Sequence, residues 1–284
     1  MIKPLIPIKQ EDLDEIAKSL LETGVPVITP AQVEKPQNYL LLPQTREHPE
    51  IPISLTRLVY TPTMQPIAQK LSLTLANNSN TNVLYSNGYI GNINHTQSLQ
   101  INKALDGINP PINLFVEFLN ELRSGSAFYA NGNRIPKSFS DSFLDDILTV
   151  RSPYRAEWFD NVFHKQGRTD KTKYHKFDTS GQLVEVTEQL DPATLMEDKQ
   201  VSLDDWLSNP TSQGLPRVDV ATGNLYYWLP REGKVARFVS GSFGANLSCD
   251  GDATDSDPGL GVRSAKIKTW MSQWLLDYNR KIYK

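Results

Sequence analysis

The stretch from Val235 to Arg263, VARFVSGSFGANLSCDGDATDSDPGLGVR, constrains the fold more than any other part of the chain. Successive side chains of a strand point to opposite faces. Here Ala236, Phe238, Ser240 and Ser242 fall on one face, and Arg237, Val239, Gly241 and Phe243 on the other. A turn is expected at Gly244, after which Ala245, Leu247 and Cys249 continue the first pattern and Asn246, Ser248 and Asp250 the second. Small and apolar residues on one side require a packed core against that side. The opposite side mixes a cation, a valine, an aromatic ring, an amide, a hydroxyl and a carboxylate. A catalytic surface converges on a few roles, and this one does not.

Between Arg237 and Gly259 there is no Lys, Glu, Gln, Met or Trp, although Lys, Glu and Gln are used freely elsewhere. Those types are missing from the set reached by randomising the first two bases of an AAC asparagine codon. A framework V-A-x-F-x-x-x-S-x-x-A-x-L-x-C-x-x-D, followed by S-x-x-x-L-G-V-R, is carried by Val235, Ala236, Phe238, Ser242, Ala245, Leu247, Cys249, Asp252, Ser256, Leu260, Gly261, Val262 and Arg263. It resembles the unvarying part of the segment rewritten by adenine-directed mutagenesis in the variable proteins of diversity-generating retroelements. The alternative is an ordinary hairpin and loop whose missing residue types are a sampling accident.

The same likeness recurs upstream. The patterns F-x-x-F-L-x-x-L-x-S-G, V-R-S-P-x-R-A-E-W, W-L-x-N-x-T-S-Q-G-L-P and G-N-L-Y-Y-W-x-P-R are carried by Phe115 to Gly125, Val150 to Trp158, Trp206 to Pro216 and Gly223 to Arg231. They resemble most the variable proteins of archaeal viruses and small archaea, and the likeness is much weaker before Pro110.

That resemblance implies an α+β protein with a C-type lectin fold of the type shared with formylglycine-generating enzymes. Residues 110–284 would form the lectin domain carrying the variable region 235–263, with residues 1–109 as an N-terminal accessory region. It implies variable side chains on one exposed face over a constant backbone. The ligand contacts would then be Arg237, Val239, Gly241, Phe243, Gly244, Asn246, Ser248, Asp250, Gly251, Thr254, Asp255, Asp257, Pro258 and Gly259. Ser240 and Ala253 stand where Ala and Pro are expected. The implied function is non-enzymatic: a displayed, hypervariable face recognising a protein or glycan on a host or neighbouring cell surface, with attachment to a larger assembly through the N-terminal region. Such a face works as an antibody paratope does, with Phe243 as aromatic anchor and Ser, Asn and Asp as adaptable hydrogen-bonding groups.

Other chemistries fit less well. The carboxylates Asp250, Asp252, Asp255 and Asp257 suggest calcium and a calcium-dependent sugar-binding lectin, but they lack the EF-hand spacing, and only Asp252 belongs to the framework. An oxidase of the formylglycine-generating type resembles a copper chemistry that needs a pair of thiols, and Cys249 stands alone; a buried small hydrophobe is the simpler reading. His48, His95, His164 and His175 accompany no nucleophile motif and share no metal-ligand spacing, and loop-like or strand-edge positions are expected for them. Gly259-Leu260-Gly261 lacks the third glycine of a phosphate loop. Trp158, Trp206 and Trp228 read as core. No cofactor is expected.

A chain of 284 residues and 32.0 kDa with one cysteine excludes an intrachain disulfide and a Cys-rich zinc cluster, so packing must stabilise it. A net charge of -3 and a pI near 5.9 give no electrostatic reason to expect nucleic acid or an anionic membrane. No stretch resembles a membrane span, and MIKPLIPIKQEDLDEIAK lacks the apolar run of a signal peptide. Localisation is left open, with a virion or cell surface favoured by the resemblance.

Periodicity predicts helices over Gln10–Glu22, Ile112–Leu122 with Gly125 as its stop, Ser140–Thr149 and Val201–Leu207. It predicts a strand over Tyr39–Leu42, strands in TKYHKF and QLVEVTEQL joined by Asp-Thr-Ser-Gly, and a loop over Asn77–Asn82. The apolar stripe Ile267, Trp270, Met271, Trp274, Leu275, Tyr278 and Ile282 reads as a tail packed on the domain, or as an oligomer contact.

Overall fold

The computed structural model describes residues 38–61, 64–78 and 88–266. The helix expected over Gln10–Glu22, the tail stripe from Ile267 to Ile282 and positions 79–82 of the asparagine-rich loop lie outside the described residues.

In chain order the elements are β1 (Tyr39–Leu42), β2 (Ile51–Ser54), α1 (Met64–Lys70), β3 (Ala76–Asn78), β4 (Tyr89–Gly91), α2 (His95–Ala104), α3 (Ile112–Ser124) and α4 (Lys137–Leu148). Then follow β5 (Arg155–Gln166), β6 (Thr169–Phe177), β7 (Leu183–Gln189), β8 (Lys199–Val201), α5 (Leu203–Ser208), β9 (Leu225–Trp228), β10 (Val235–Gly241), β11 (Gly244–Gly251) and β12 (Leu260–Val262). The result is a mixed α/β protein built on one large sheet, ordered β7-β6-β5-β10-β11-β9-β8, with β12 paired to β5. Its pairs are antiparallel except β11–β9 and β12–β5. Among the described residues no helix is long and apolar enough to cross a membrane.

The strongly periodic segments fold as their spacing predicts. Helix α3 buries Ile112, Leu114, Phe115, Phe118, Leu119 and Leu122 on one face and is followed by Gly125. Strands β6 and β7 flank the Asp178–Gly181 turn, where Asp178 accepts from the Ser180 and Gln182 N–H groups. Helix α4 starts at Lys137, earlier than its apolar pattern, because Pro136 opens it while Lys137 and Ser138 are exposed. The helix expected from Val201 is shorter: Val201 ends β8, and Ser202 caps α5 by accepting from the Asp205 N–H. Asn77 and Asn78, expected in a loop, pair with Ile90 and Tyr89.

Two cores sandwich the sheet. On one face Ala236, Phe238, Leu247 and Cys249 pack with Phe115 and Phe118 of α3 and with Leu40 and Ile53 from β1 and β2. The Phe115 and Phe238 rings lie 5.2 Å apart, and truncating such a buried ring to Ala costs about 3–5 kcal/mol. On the other face Ala156, Trp158, Val235, Leu260 and Val262 pack against Ile90, Ile93 and Ile101. The described part of the N-terminal third therefore contributes to both cores. At the 109/110 position, where a boundary was expected, Ile108, Asn109 and Ile112 are all buried.

Candidate functional site

Strand register places the candidate ligand-contacting positions. Val239 lies between Ala156 of β5 and Asn246 of β11, Asn246 pairs with Tyr226 of β9, and Tyr226 with Gln200 of β8. A parallel row runs from Val262 and Trp158 through Arg237 and Ser248 to Trp228. Adjacent side chains of a row share a face, so Arg237, Val239, Asn246 and Ser248 form one surface in the middle of the sheet. The β5 end of both rows is covered: Trp158 is buried, donates its indole N–H to Ile93 O at 2.9 Å, and meets the His95 ring edge-on. At the β9 end Trp228 is 39% exposed.

The hairpin turns one residue earlier than its glycine suggests. Gly241 pairs with Gly244, leaving Ser242 and Phe243 as the loop. Gly244 already belongs to β11 and has φ +120°, a conformation L side chains rarely adopt. Ser242, expected on the packed face, is therefore exposed at the tip, beside a Phe243 that is 89% exposed. Ala236, Phe238 and Ser240 are fully buried as the alternation requires, with the Ser240 hydroxyl donating to Ile147 O.

The loop from Asp252 to Gly259 is held by its backbone. Ala253 O accepts from the His95 N–H, Asp257 O from Asn92 and Leu260, and Gly259 O from Ala156. Asp252 ties the turn by accepting from the N–H and hydroxyl of Thr254, and Lys234 lies 3.2 Å away. Those contacts hold the Asp252 carboxyl at about 2, below its ordinary value. Pinned this way, the loop leaves Thr254 and Pro258 exposed and Asp255 and Asp257 half-buried.

Between this loop and β10 lies a cleft of about 460 Å³ lined by Tyr154, Arg237, Val239, Asp255, Ser256, Asp257 and Leu260. Arg237 donates to Asp255 at 2.9 Å, and its guanidinium sits 5.5 Å from the Trp158 ring centre. Burial and the neighbouring Asp257 carboxylate push the Tyr154 phenol above its ordinary value. A second cleft, of about 580 Å³, opens on the other side of the hairpin tip between Leu148, Val150, Leu203, Tyr226 and Phe243.

Three of the candidate positions are structural. Ser248 is 4% exposed and donates to Asp250 at 2.8 Å. Gly251 and Gly259 are buried where a Cβ would come within 2.9 Å of Val235 O and 2.6 Å of Tyr154 O. Irregular pairing between Val235 and Arg237 changes how β11 lies against β10, which the alternation alone does not show. The remaining candidates, Arg237, Val239, Gly241, Phe243, Gly244, Asn246, Asp250, Thr254, Asp255, Asp257 and Pro258, all reach solvent.

The four loop carboxylates do not converge. Asp250 takes the Ser248 hydroxyl, Asp252 the Thr254 groups, Asp255 the Arg237 guanidinium and Asp257 the Gly259 N–H. Among the described residues no three His, Cys, Asp or Glu side chains are grouped to hold a metal ion. Cys249 is fully buried, and burial raises its thiol well above the ordinary value. His48 lies in the loop between β1 and β2, as expected, whereas His95 opens helix α2; both are buried.

Sequence reasoning missed Tyr154, Tyr226, Trp228 and Gln200 as neighbours of the site. Trp228, read as core, is exposed because Leu225 and Tyr227 take the buried positions of β9. The alternation in Leu-Tyr-Tyr-Trp was the available signal, but a run of four apolar or aromatic residues hides its own phase. Compared with protein-family models, curated proteins and solved structures, the chain has no match.

Proposed function

We propose that this protein is a non-enzymatic binding and display protein whose exposed β10–β11 face and following loop are diversified by a retroelement. The face would recognise a protein or glycan on a host or neighbouring cell surface, from a virion or from a cell. One observation carries the reading: between Val235 and Arg263 most framework residues are buried and most of the chemically unrelated residues between them reach solvent. The framework residues Val235, Ala236, Phe238, Leu247, Cys249, Leu260, Val262 and Arg263 are all buried. The unrelated side chains between them, from Arg237 and Val239 to Phe243, Asn246 and Thr254, reach solvent. Such a division lets the ligand-facing chemistry change without disturbing the core. Framework Ser242, Asp252 and Ser256 are exposed; of these Asp252 holds the turn through its hydrogen bonds from Thr254.

On this reading the scaffold is a C-type lectin fold, supported by the antiparallel β10–β11 hairpin and the helices α3 and α4 that share its core. The loop carboxylates each engage a different local partner, Asp250 the Ser248 hydroxyl, Asp255 the Arg237 guanidinium and Asp257 the Gly259 N–H, which suits a mixed contact surface. The test is to sequence many copies of the gene from one population together with flanking DNA. Substitutions concentrated at adenine-matched codons of the solvent-reaching positions, with a near-copy template beside a reverse transcriptase, are expected. A segment as invariant as its surroundings, with no template, would overturn the proposal.

A further inference from the structure

We infer that Tyr226 and Trp228, which lie outside the diversified segment, are constant aromatic anchors of the binding face. The two cross-strand rows place them level with the solvent-reaching candidates: Tyr226 beside Asn246, and Trp228 beside the buried Ser248 and, one strand further, Arg237. Neighbouring strands are roughly 5 Å apart, so a partner resting on Asn246 and Arg237 reaches both rings. Towards β5 the rows end beneath α2 and Ile93, with Trp158 fully buried.

The exposure of these rings is not forced by the fold. Leu225 and Tyr227 already supply the buried side of β9, at 3% and 1% exposure, so polar residues would serve at 226 and 228 as far as packing is concerned. Large aromatic surface left in water costs free energy unless a partner covers it, and an indole at 39% exposure beside a half-buried tyrosine is such a surface. No hydrogen bond from the Trp228 indole or the Tyr226 hydroxyl to a described residue is present, so both polar ends are open to a partner. Tyr226 also lines the 580 Å³ cleft that ends at Phe243, joining the sheet face to the hairpin tip.

The partner that this arrangement fits is a protein surface. The face is open and broad, with ring faces on one border, a cation, a valine and an amide at Arg237, Val239 and Asn246 across the middle, and carboxylates only on the loop side, which suits side chains of mixed chemistry more than one enclosed small molecule. Tyr and Trp supply contact area at low entropic cost whatever side chains the variable positions carry. The rings would thus contribute a constant part of the affinity, and the changeable positions the choice of partner.

This inference rests on the proposed function, and one experiment separates the two. A library of the full chain randomised at Arg237, Val239, Phe243, Asn246 and Thr254 is selected against immobilised serum albumin. Trp228→Ala, Tyr226→Ala and the bulk-preserving Trp228→Leu are then introduced into each independent binder, and thermal melting is recorded for every variant. Loss of affinity of about tenfold or more in most binders on Trp228→Ala or Tyr226→Ala, with melting unchanged, is expected. If Trp228→Ala lowers melting, Trp228→Leu and Tyr226→Ala decide. Binders that keep their affinity within about twofold would overturn the inference and leave the proposed function standing. A library that yields no binder at all would overturn both.

Discussion

Arg263 places its guanidinium Nε 2.9 Å from Glu157 Oε2, with both side chains 1% exposed. Arg155 adds a second contact, at 2.8 Å to Glu157 Oε1, and Arg263 also donates to Ser54 O. This ion pair joins the end of the 235–263 segment to β5 and β2. It explains the A-E-W and L-G-V-R patterns as two halves of one buried contact, since Gly261 pairs with Glu157 in the sheet.

Removing one partner of such a pair leaves a buried charge short of compensation. Arg263→Met should destabilise by about 3 kcal/mol, read as a fall in the denaturant midpoint at unchanged slope. Burial pushes the Glu157 carboxyl up, but Arg155 and Arg263 outweigh it and hold it at about 2, against an ordinary 4.5. A depressed folded value means that this stabilisation is complete above the unfolded value and is lost as pH falls towards 2. The wild type should therefore lose stability on acidification more steeply than Glu157→Gln; parallel profiles would refute the assignment.

His48 is expected to behave with the opposite sign. Its Nδ1 faces Pro49 O at 2.6 Å and its Nε2 faces Glu117 Oε2 at 2.9 Å, so both ring nitrogens meet acceptors and the cation is favoured. Burial lowers the imidazole, yet the Glu117 and Pro49 hydrogen bonds and the Glu117 and Glu47 charges outweigh it, and the net direction is upward from 6.5. A raised folded value gives stabilisation that is complete below the unfolded value and lost as pH rises through the folded one. The His48 ring resonances should titrate above the ordinary histidine range, and Glu117→Gln should bring that midpoint down.

Positions in the candidate site should differ sharply in tolerance. Gly259→Ala forces a Cβ to within 2.6 Å of Tyr154 O and should cost about 1–3 kcal/mol. Phe243→Ser, at an 89% exposed tip, should change stability by no more than about 0.5 kcal/mol. Thermal melting of the two variants checks this directly. Natural copies should likewise vary at Phe243 and Thr254 but keep Gly259.

Cys249 should be inert in the folded protein. Its thiol is fully buried, and burial raises it well above its ordinary value, so little thiolate forms at neutral pH. A chromogenic thiol reagent should react only at the rate of unfolding and promptly in denaturant. Rapid native-state labelling would instead indicate an accessible nucleophile and reopen an oxidase reading.

Much of the fold was legible wherever the apolar period was long. Helix α3, the strand Tyr39–Leu42 and the β6–β7 hairpin follow from their spacing because each buries one face, and burial writes a period into the chain. The early start of α4 was not legible, since Lys137 and Ser138 are exposed and carry no apolar signal. Nor was the strand character of Asn77 and Asn78, where pairing with β4 overrides a preference for turns.

For the site, alternation alone determined that Ala236, Phe238, Leu247 and Cys249 face a core and that Arg237, Val239 and Asn246 face away from it. Period-two geometry is local, so the residues themselves carry that information. Tertiary structure decided what lies on each side. The irregular pairing beside Arg237 accompanies a buried Ser248, the close approach of Tyr154 makes Gly259 structural, and α2 closes the face at Trp158. The parallel pairing of β11 with β9 brought Tyr226 and Trp228 level with Asn246 and Ser248. Those relationships join residues far apart in the chain, and only packing, which no local period encodes, sets which of them meet.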